Sequence, residues 1–390
     1  MNANLSVLVN QKSTGVLIRE GGEFVFQYGE AQASEAFISL TMPVRVKNYT
    51  LPYLMPIFEM HLPEGYLLSV IKKHFSKITA TDDFGLLNIL APSVRGRVTY
   101  QGSQEKSISA LSLSDVLHGQ SENLFQSLVE RFALSSPLSG VQPKVLAKVQ
   151  DKATLMHEDV IIKAWGDDYP ELALNEYLCM TAVKLAGVPV PEFYLSDDER
   201  LFVMKRFDVL ETGVVLGFED MCVLQAKRRD DKYNGSYEQL AKTIKTFVSP
   251  EHKQASLNQF FKMMVMNHLL QNGDAHLKNF GVIYDGPDNI KLAPAYDVVC
   301  TTAYVPQDMT ALTMQGTKRW QNKKSLIKFA IDACELTQKQ AEQAYAACVD
   351  ALSLLGKEIT QRIEQEPESS KLRLLKHLMS LCYPPQQIIC

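Results

Sequence analysis

Residues 257–299 constrain the fold of this chain most strongly, because they set a helical pattern, a polar loop, two apolar runs about a turn and an aspartate in sequence. Leu257, Phe260, Phe261, Met264, Val265, His268 and Leu269 recur at helical spacing, as on the buried face of a helix. Asn272 and Gly273 tolerate left-handed backbone, so the helix is predicted to stop there. The loop Asn272-Gly273-Asp274-Ala275-His276-Leu277-Lys278-Asn279 follows. Phe280 to Tyr284 is then apolar, Asp285-Gly286-Pro287-Asp288-Asn289 is turn chemistry, and Ile290 to Ala293 is apolar again. That order predicts a β-hairpin. A hairpin centred near Pro287 returns the chain opposite Asn279 and leaves Asp297 beside it.

Asn279 stands five residues after Asp274. In protein kinases an aspartate accepts the proton of the attacking hydroxyl, an asparagine at this interval holds a metal ion, and a later aspartate holds the metals that bridge the phosphates. Asp274 is therefore the candidate base, and Asn279 and Asp297 are candidate magnesium ligands. Asn-Gly-Asp alone would suit any helix-to-strand connection; the asparagine, the hairpin and the second aspartate supply the specificity. Lys278 either offsets phosphate charge or stands in solvent. His276 is expected to hold the loop backbone beside the nucleotide rather than a metal, since no second His or Cys stands at zinc-ligand spacing.

With 390 residues, 46% hydrophobic and 22% charged, the chain can bury a large core in two or three domains. A net charge of -4 gives no global attraction to nucleic acid. Lys227-Arg228-Arg229 is followed at once by Asp230 and Asp231, which reads as a solvated face of mixed sign. The seven cysteines form no CxxC pair, as expected of reduced thiols in a cytosol. The sequence shows neither a basic-then-apolar leader nor an apolar run near the ~18 residues of a membrane span. A cytoplasmic protein is expected.

Earlier in the chain, residues 4–10, 14–19 and 23–28 alternate around Asn10-Gln11-Lys12-Ser13 and Gly21-Gly22, a β-meander pattern. Pro52, Pro56 and Pro63 interrupt the next stretch before helical spacing from Glu64 to Phe75, and the polar residues 101–108 suggest a boundary. Ser139-Gly140-Val141-Gln142-Pro143-Lys144 leads into a strand over Val145 to Val149, and a second strand over Asp159 to Lys163 follows. Backbone N–H groups of such a turn can hold phosphate, which makes Gly140, Val141, Gln142 and Lys144 nucleotide-contact candidates, although the loop is no Walker sequence. Lys163 is either a phosphate contact paired with a helix glutamate, Glu171 or Glu176, or a solvated sheet residue. Leu201 to Met204, leading into Lys205-Arg206-Phe207-Asp208, is either the linker that meets adenine or an edge strand with a charged exit. Helical spacing then dominates at 237–248, 255–271, 324–333, 337–355 and 370–381. An α+β, bilobal ATP-dependent transferase would show this sheet-then-helix order.

LSGVQPK at 138–144, VIIKAW at 160–165, NEY at 175–177, FVMKRFD at 202–208, FEDMC at 218–222, YNGSYEQLA at 233–241, NGDAHLKNFGV at 272–282 and LAPAYDVV at 292–299 together resemble the HipA family of bacterial serine/threonine kinases, toxins of toxin-antitoxin modules. ISLTMPVR at 38–45 and FEMHLPEGYL at 58–67 extend the resemblance to that family's N-terminal subdomain. It implies a protein-kinase-like fold with a mixed N-terminal subdomain at 1–107, an N-lobe at 108–208 and a mostly helical C-lobe at 209–390. It also implies ATP and Mg2+, with Asp274 as base, Asn279 and Asp297 as metal ligands, Lys163 on the nucleotide phosphates and Met204, Lys205 and Phe207 in the adenine linker. Autophosphorylation is expected near Pro137, at Ser135, Ser136 or Ser139. The implied target is a translation component such as an aminoacyl-tRNA synthetase, and the implied partner a HipB-like helix-turn-helix antitoxin that alone contacts DNA. Gly217-Phe218 departs from the family's His-Gln before Glu-Asp. A small-molecule phosphotransferase of the aminoglycoside type and a catalytically silent corepressor are the alternatives.

Overall fold

A computed structural model describes residues 3–62, 82–102, 111–119, 144–150, 157–164, 168–367 and 369–383. The expected loop residues Ser135, Ser136, Ser139, Gly140, Val141 and Gln142, the side chain of Lys144, the helical spacing from Glu64 and most of the 101–108 boundary lie outside the described residues. The chain is α+β. It divides into two compact units: Met1–Ala164, Ser196–Lys232 and Gly281–Ile290 form the first, and Trp165–Leu195, Tyr233–Phe280 and Lys291–Cys390 the second.

The first unit opens on an antiparallel sheet of strands β1 (Ala3–Val9), β2 (Lys12–Glu20), β3 (Glu23–Tyr28), β4 (Tyr49–Leu51) and β5 (Val98–Tyr100), in the order β4-β3-β2-β1-β5. Its first turn is tighter than the four polar residues suggested. Val9 pairs with Lys12, and Asn10 and Gln11 between them both have positive φ, 48° and 63°. Positive φ at both central residues gives the turn the twist that a two-residue hairpin needs. On the buried face, the Phe26 ring meets Tyr28 edge-on at 4.8 Å and lies 5.6 Å from Phe58. A second sheet in this unit runs β6 (Leu111–Ser112), β7 (Lys144–Gln150), β8 (His157–Ala164) and β10 (Leu201–Lys205), each strand beside the next. In it Lys163 pairs with Lys144 on one side and Phe202 on the other. Strand β11 (Gly217–Asp220) pairs with β12 (Gly281–Tyr284).

Besides the short strand β9 (Phe193–Leu195), the second unit is dominated by helices: Leu172–Leu185, Tyr237–Phe247, Pro250–Leu269, Lys323–Asp332, Gln338–Gln365 and Ser370–Cys382. Their starts follow capping chemistry. Ser236, Asn322 and Ser369 each accept a backbone N–H of the first turn, Thr337 and Gln340 form a reciprocal capping box, and Pro250 stands at the first helical position after Ser249. Helix Pro250–Leu269 buries the expected face apart from Leu269, which is only partly covered, and Ser256, Met263, Met266 and Asn267 as well. Phe260 lies between Phe280, edge-on at 5.6 Å, and Phe329 at 6.3 Å. Helix Gln338–Gln365 runs ten residues beyond the expected 355, because Gly356 and Ile359 continue the buried stripe and Arg362 pairs with Glu358 one turn back. Among the described residues no helix is long and apolar enough to cross a membrane.

Candidate active site

The loop after helix Pro250–Leu269 is held by side-chain hydrogen bonds rather than by regular structure. Gln271, not Asn272 or Gly273, takes the left-handed conformation that ends the helix, with φ 52°. Asn272 is occupied otherwise: its backbone N–H donates to the Asn267 carbonyl at 2.8 Å, its Nδ2 donates to Asn267 Oδ1 at 2.8 Å, and its Oδ1 accepts the Asp274 N–H at 3.1 Å. The Gly273 N–H donates to Thr301 Oγ1 at 2.8 Å. The buried Asn279 closes the loop, with Oδ1 accepting the His276 N–H at 3.0 Å. Each buried polar group of the loop that these bonds reach is satisfied locally, which fixes the backbone.

That backbone brings the sequence-predicted acid and amide groups together. Asn279 Nδ2 donates to Asp297 Oδ2 at 2.9 Å across 18 positions of sequence. Strands over Gly281–Tyr284 and Ile290–Leu292 flank the expected turn, within which Asn289 Nδ2 donates to Asp285 Oδ2 at 3.1 Å. Asp297 itself has φ 61°, a left-handed conformation that costs energy for a residue with a Cβ and that gathers at functional sites. The preceding Tyr296 donates its hydroxyl to the Lys278 carbonyl at 2.7 Å, so the end of the loop is tied twice to the segment that carries Asp297.

Asp274 keeps a half-exposed carboxylate, its side chain 47% accessible. Tyr233 donates its hydroxyl to Asp274 Oδ1 at 2.6 Å, and the Tyr233 ring packs edge-on against His276 at 5.1 Å. His276 is buried, with Nε2 4.0 Å from the same Asp274 oxygen. No sequence pattern pointed to Tyr233, which lies 41 positions upstream; its place in the YNGSYEQLA segment was the available signal.

For a metal the donor set is one carboxylate and one amide, both hard oxygen donors. Among the described residues no group of three or more His, Cys, Asp and Glu could hold an ion. Magnesium fits such a sparse set, because it keeps several waters and takes one or two protein oxygens beside substrate phosphates. Zinc does not.

In the first unit, Lys163 is buried, 2% accessible, with Nζ 5.7 Å from the Phe202 ring centroid; the solvated reading of this lysine is corrected, since Ile162 and Ala164, which alternate to the other face, are buried as well and both faces of the strand are covered. Met204 is buried opposite Ile161, and Lys205 pairs with Val160. Phe207 meets Phe218 edge-on at 5.4 Å. The departure at Gly217-Phe218 has a packing reason: a Cβ on Gly217 would stand 2.1 Å from the Tyr284 ring. Next to it, buried Glu219 accepts from Ser39 Oγ at 2.6 Å, from the Leu40 N–H at 2.8 Å and from the Tyr284 hydroxyl at 2.6 Å. Burial raises its carboxyl pKa above the ordinary range, while these donors act in the opposite direction. Sequence reasoning passed over Glu219 as part of a motif.

A family model described as the HipA-like C-terminal domain matches residues 136–354, more than half the chain. A second, the HipA N-terminal domain, matches residues 5–101. Among curated proteins the chain is 28% identical over 360 residues to "Putative kinase Y4dM" of Sinorhizobium fredii, covering 82% of this chain and 83% of that one. It is 32% identical over 186 residues to a Haemophilus influenzae protein named "Putative kinase", covering 43% and 53%. Among solved structures, the fold is similar to a chain of the Shewanella oneidensis MR-1 toxin-antitoxin complex of HipA, HipB and operator DNA, with a TM-score of 0.71, 16% identity and coverage of 97% and 96%. With both of its domain models matched in order along one sequence, this chain belongs to the HipA family.

Proposed function

We propose that this protein is an ATP- and magnesium-dependent serine/threonine protein kinase, a HipA-like toxin that phosphorylates a component of translation, such as an aminoacyl-tRNA synthetase, and itself. The observation that carries the reading is the 2.9 Å contact between Asn279 and Asp297 on the loop that presents Asp274, three groups in the order and spacing of a phosphoryl-transfer loop. The kinase names of the curated relatives support the reaction class.

In this reading Asp274 accepts the proton of the acceptor hydroxyl, and its fixed loop supplies the orientation on which such reactions chiefly depend. Magnesium would offset charge on the phosphates, and Asn279 and Asp297 are the residues that would hold it. Lys163 is the proposed phosphate contact, with Gly140, Val141, Gln142 and Lys144 as the loop over the nucleotide and Met204, Lys205 and Phe207 as the adenine contacts. Lys278 and His276 flank the base, Lys278 adding positive charge and His276 holding the loop. Ser135, Ser136 and Ser139 are the proposed self-modification sites. A helix-turn-helix antitoxin is the proposed partner, through which DNA is contacted; the solved HipA relative was crystallised with HipB and operator DNA.

Phosphoproteomics of cells expressing the wild type against the Asp274→Gln protein tests this. The expected result is a set of serine or threonine sites, the target and the 135–139 segment among them, lost at least 100-fold in the variant. Equal phosphorylation by a folded Asp274→Gln protein would reject the assignment of the base. ATP consumption without protein phosphorylation would point to a small-molecule phosphotransferase, and no ATP consumption to a silent corepressor.

A further inference from the structure

A general base must lie within about 2.6–3.2 Å of the oxygen whose proton it takes. In this structure an oxygen already stands there: the Tyr233 phenol, 2.6 Å from Asp274 Oδ1. The bond is not a core contact, since Tyr233 is 40% accessible and the Asp274 side chain 47%. The tyrosine nonetheless has a defined seat. Its ring packs edge-on against His276, and the following loop is pinned where Thr313 donates its backbone N–H and its hydroxyl to the Gly235 carbonyl, at 3.2 Å each. Ser236 then caps helix Tyr237–Phe247 by accepting the Gln239 N–H. A hydroxyl on a short anchored loop is thus held on the carboxylate oxygen while both groups remain open to solvent.

We propose that Tyr233 is a pseudo-acceptor: its phenol occupies the seat of the incoming hydroxyl on Asp274, and the true acceptor must displace it. The proposal rests on the assignment of Asp274 as the base. No bond to phosphorus is formed by the phenol in this role; it donates a hydrogen bond to the carboxylate and withdraws it when another hydroxyl arrives. An exposed hydrogen bond to a charged group is worth little enough net to be exchanged in each cycle, and while it lasts it keeps the base from activating water. Tyr233 therefore selects acceptors able to compete for one carboxylate oxygen.

The test compares wild type and Tyr233→Phe with Mg-ATP and dephosphorylated casein as the protein probe, and measures hydrolysis of ATP to water in parallel. Removing only the hydroxyl is expected to lower the KM for casein by roughly threefold to tenfold and to raise ATP hydrolysis by a similar factor. A lowered kcat with KM unmoved would overturn the proposal, since it would make Tyr233 a positioning residue for the base. No change in either quantity would overturn it too. Failure of the wild type both to label casein and to hydrolyse ATP would sink the kinase reading and this inference with it. Independently of turnover, the Tyr233 ring 13Cζ resonance, assigned by its loss in Tyr233→Phe, is expected to shift in Asp274→Asn. A resonance indifferent to that substitution would overturn the proposal even for an active kinase.

Discussion

A methyl group on Gly273 would stand 2.0 Å from Asp308 Oδ2 and 2.7 Å from the Met309 carbonyl oxygen. The second neighbour is backbone, so neither a rotamer change nor a small adjustment relieves the contact. Asp308 is itself tied up, accepting the Thr301 hydroxyl, and that hydroxyl's oxygen accepts the Gly273 N–H. Gly273→Ala therefore pushes the backbone one residue before Asp274 away from Thr301. Overpacking of this kind costs about 1–3 kcal/mol, and a shift of about 1 Å at a catalytic group costs up to roughly 100-fold in rate. The expected outcome is a lowered Tm together with a loss of phosphoryl transfer far larger than the loss of folded protein, read by thermal unfolding and single-turnover assay of one preparation. Activity that falls only in step with folded fraction would mean that Gly273 serves stability alone.

At the scale of elements, helix Pro250–Leu269 and the loop it leads into were largely legible, because both signals are local. A helical stripe of seven residues and an interval of five can be read without knowing what packs against them. The stop at Gln271 could not be read, since left-handed backbone is unfavourable for glutamine and is imposed here by contacts from elsewhere: the Gln271 carbonyl accepts the Thr301 N–H and its side chain accepts the Thr302 hydroxyl. Tyr233 and Glu219 were illegible for the same reason, as their partners lie 41 and 180 positions away. The helix also carries a titratable group with a measurable consequence. His268, 5% accessible, donates from Nδ1 to the Met264 carbonyl at 2.9 Å, while its Nε2 is buried and has no hydrogen-bond partner among the described residues. Burial pushes its pKa down from 6.5 to about 4, against the opposing effect of the Met264 carbonyl. The unfolded chain thus takes up a proton below 6.5 that the folded protein refuses, so the contribution of His268 is present above pH 6.5 and is lost as pH falls toward 4. A shift of this size corresponds to about 3 kcal/mol over that window. In His268→Leu the part of the stability slope between pH 6.5 and 4 that belongs to this proton should vanish, as followed by urea unfolding at a series of pH values; parallel slopes in the two proteins would place the proton elsewhere.

For the whole molecule the decisive fact is that neither unit is a contiguous stretch of sequence. Each is assembled from three segments that alternate along the chain, so the chain passes between units five times. Strand β8 shows what this means for folding, because it lies between β7, its neighbour in sequence, and β10, which arrives after the chain has left the first unit and come back. The buried clamp on Glu219 has the same character: Ser39 and the Leu40 N–H belong to the opening segment, and the carboxylate they donate to comes from the returning one. A fragment ending at residue 164 would keep every apolar side chain of β8 while exposing its edge, and would deprive the buried Ser39 hydroxyl and the partly buried Leu40 N–H of their Glu219 acceptor. Open strand edges favour intermolecular pairing, and unsatisfied buried groups cost about 1–3 kcal/mol each. Residues 1–164 expressed alone are therefore expected to aggregate or to melt without a cooperative transition, whereas residues 1–232, which restore β10 and Glu219, should gain solubility and a sigmoidal unfolding curve. Calorimetry and size-exclusion chromatography of the two fragments decide the matter. A cooperative melt of the shorter fragment at the Tm of the intact chain would show that the opening segment folds on its own and that the returning strand merely docks onto it.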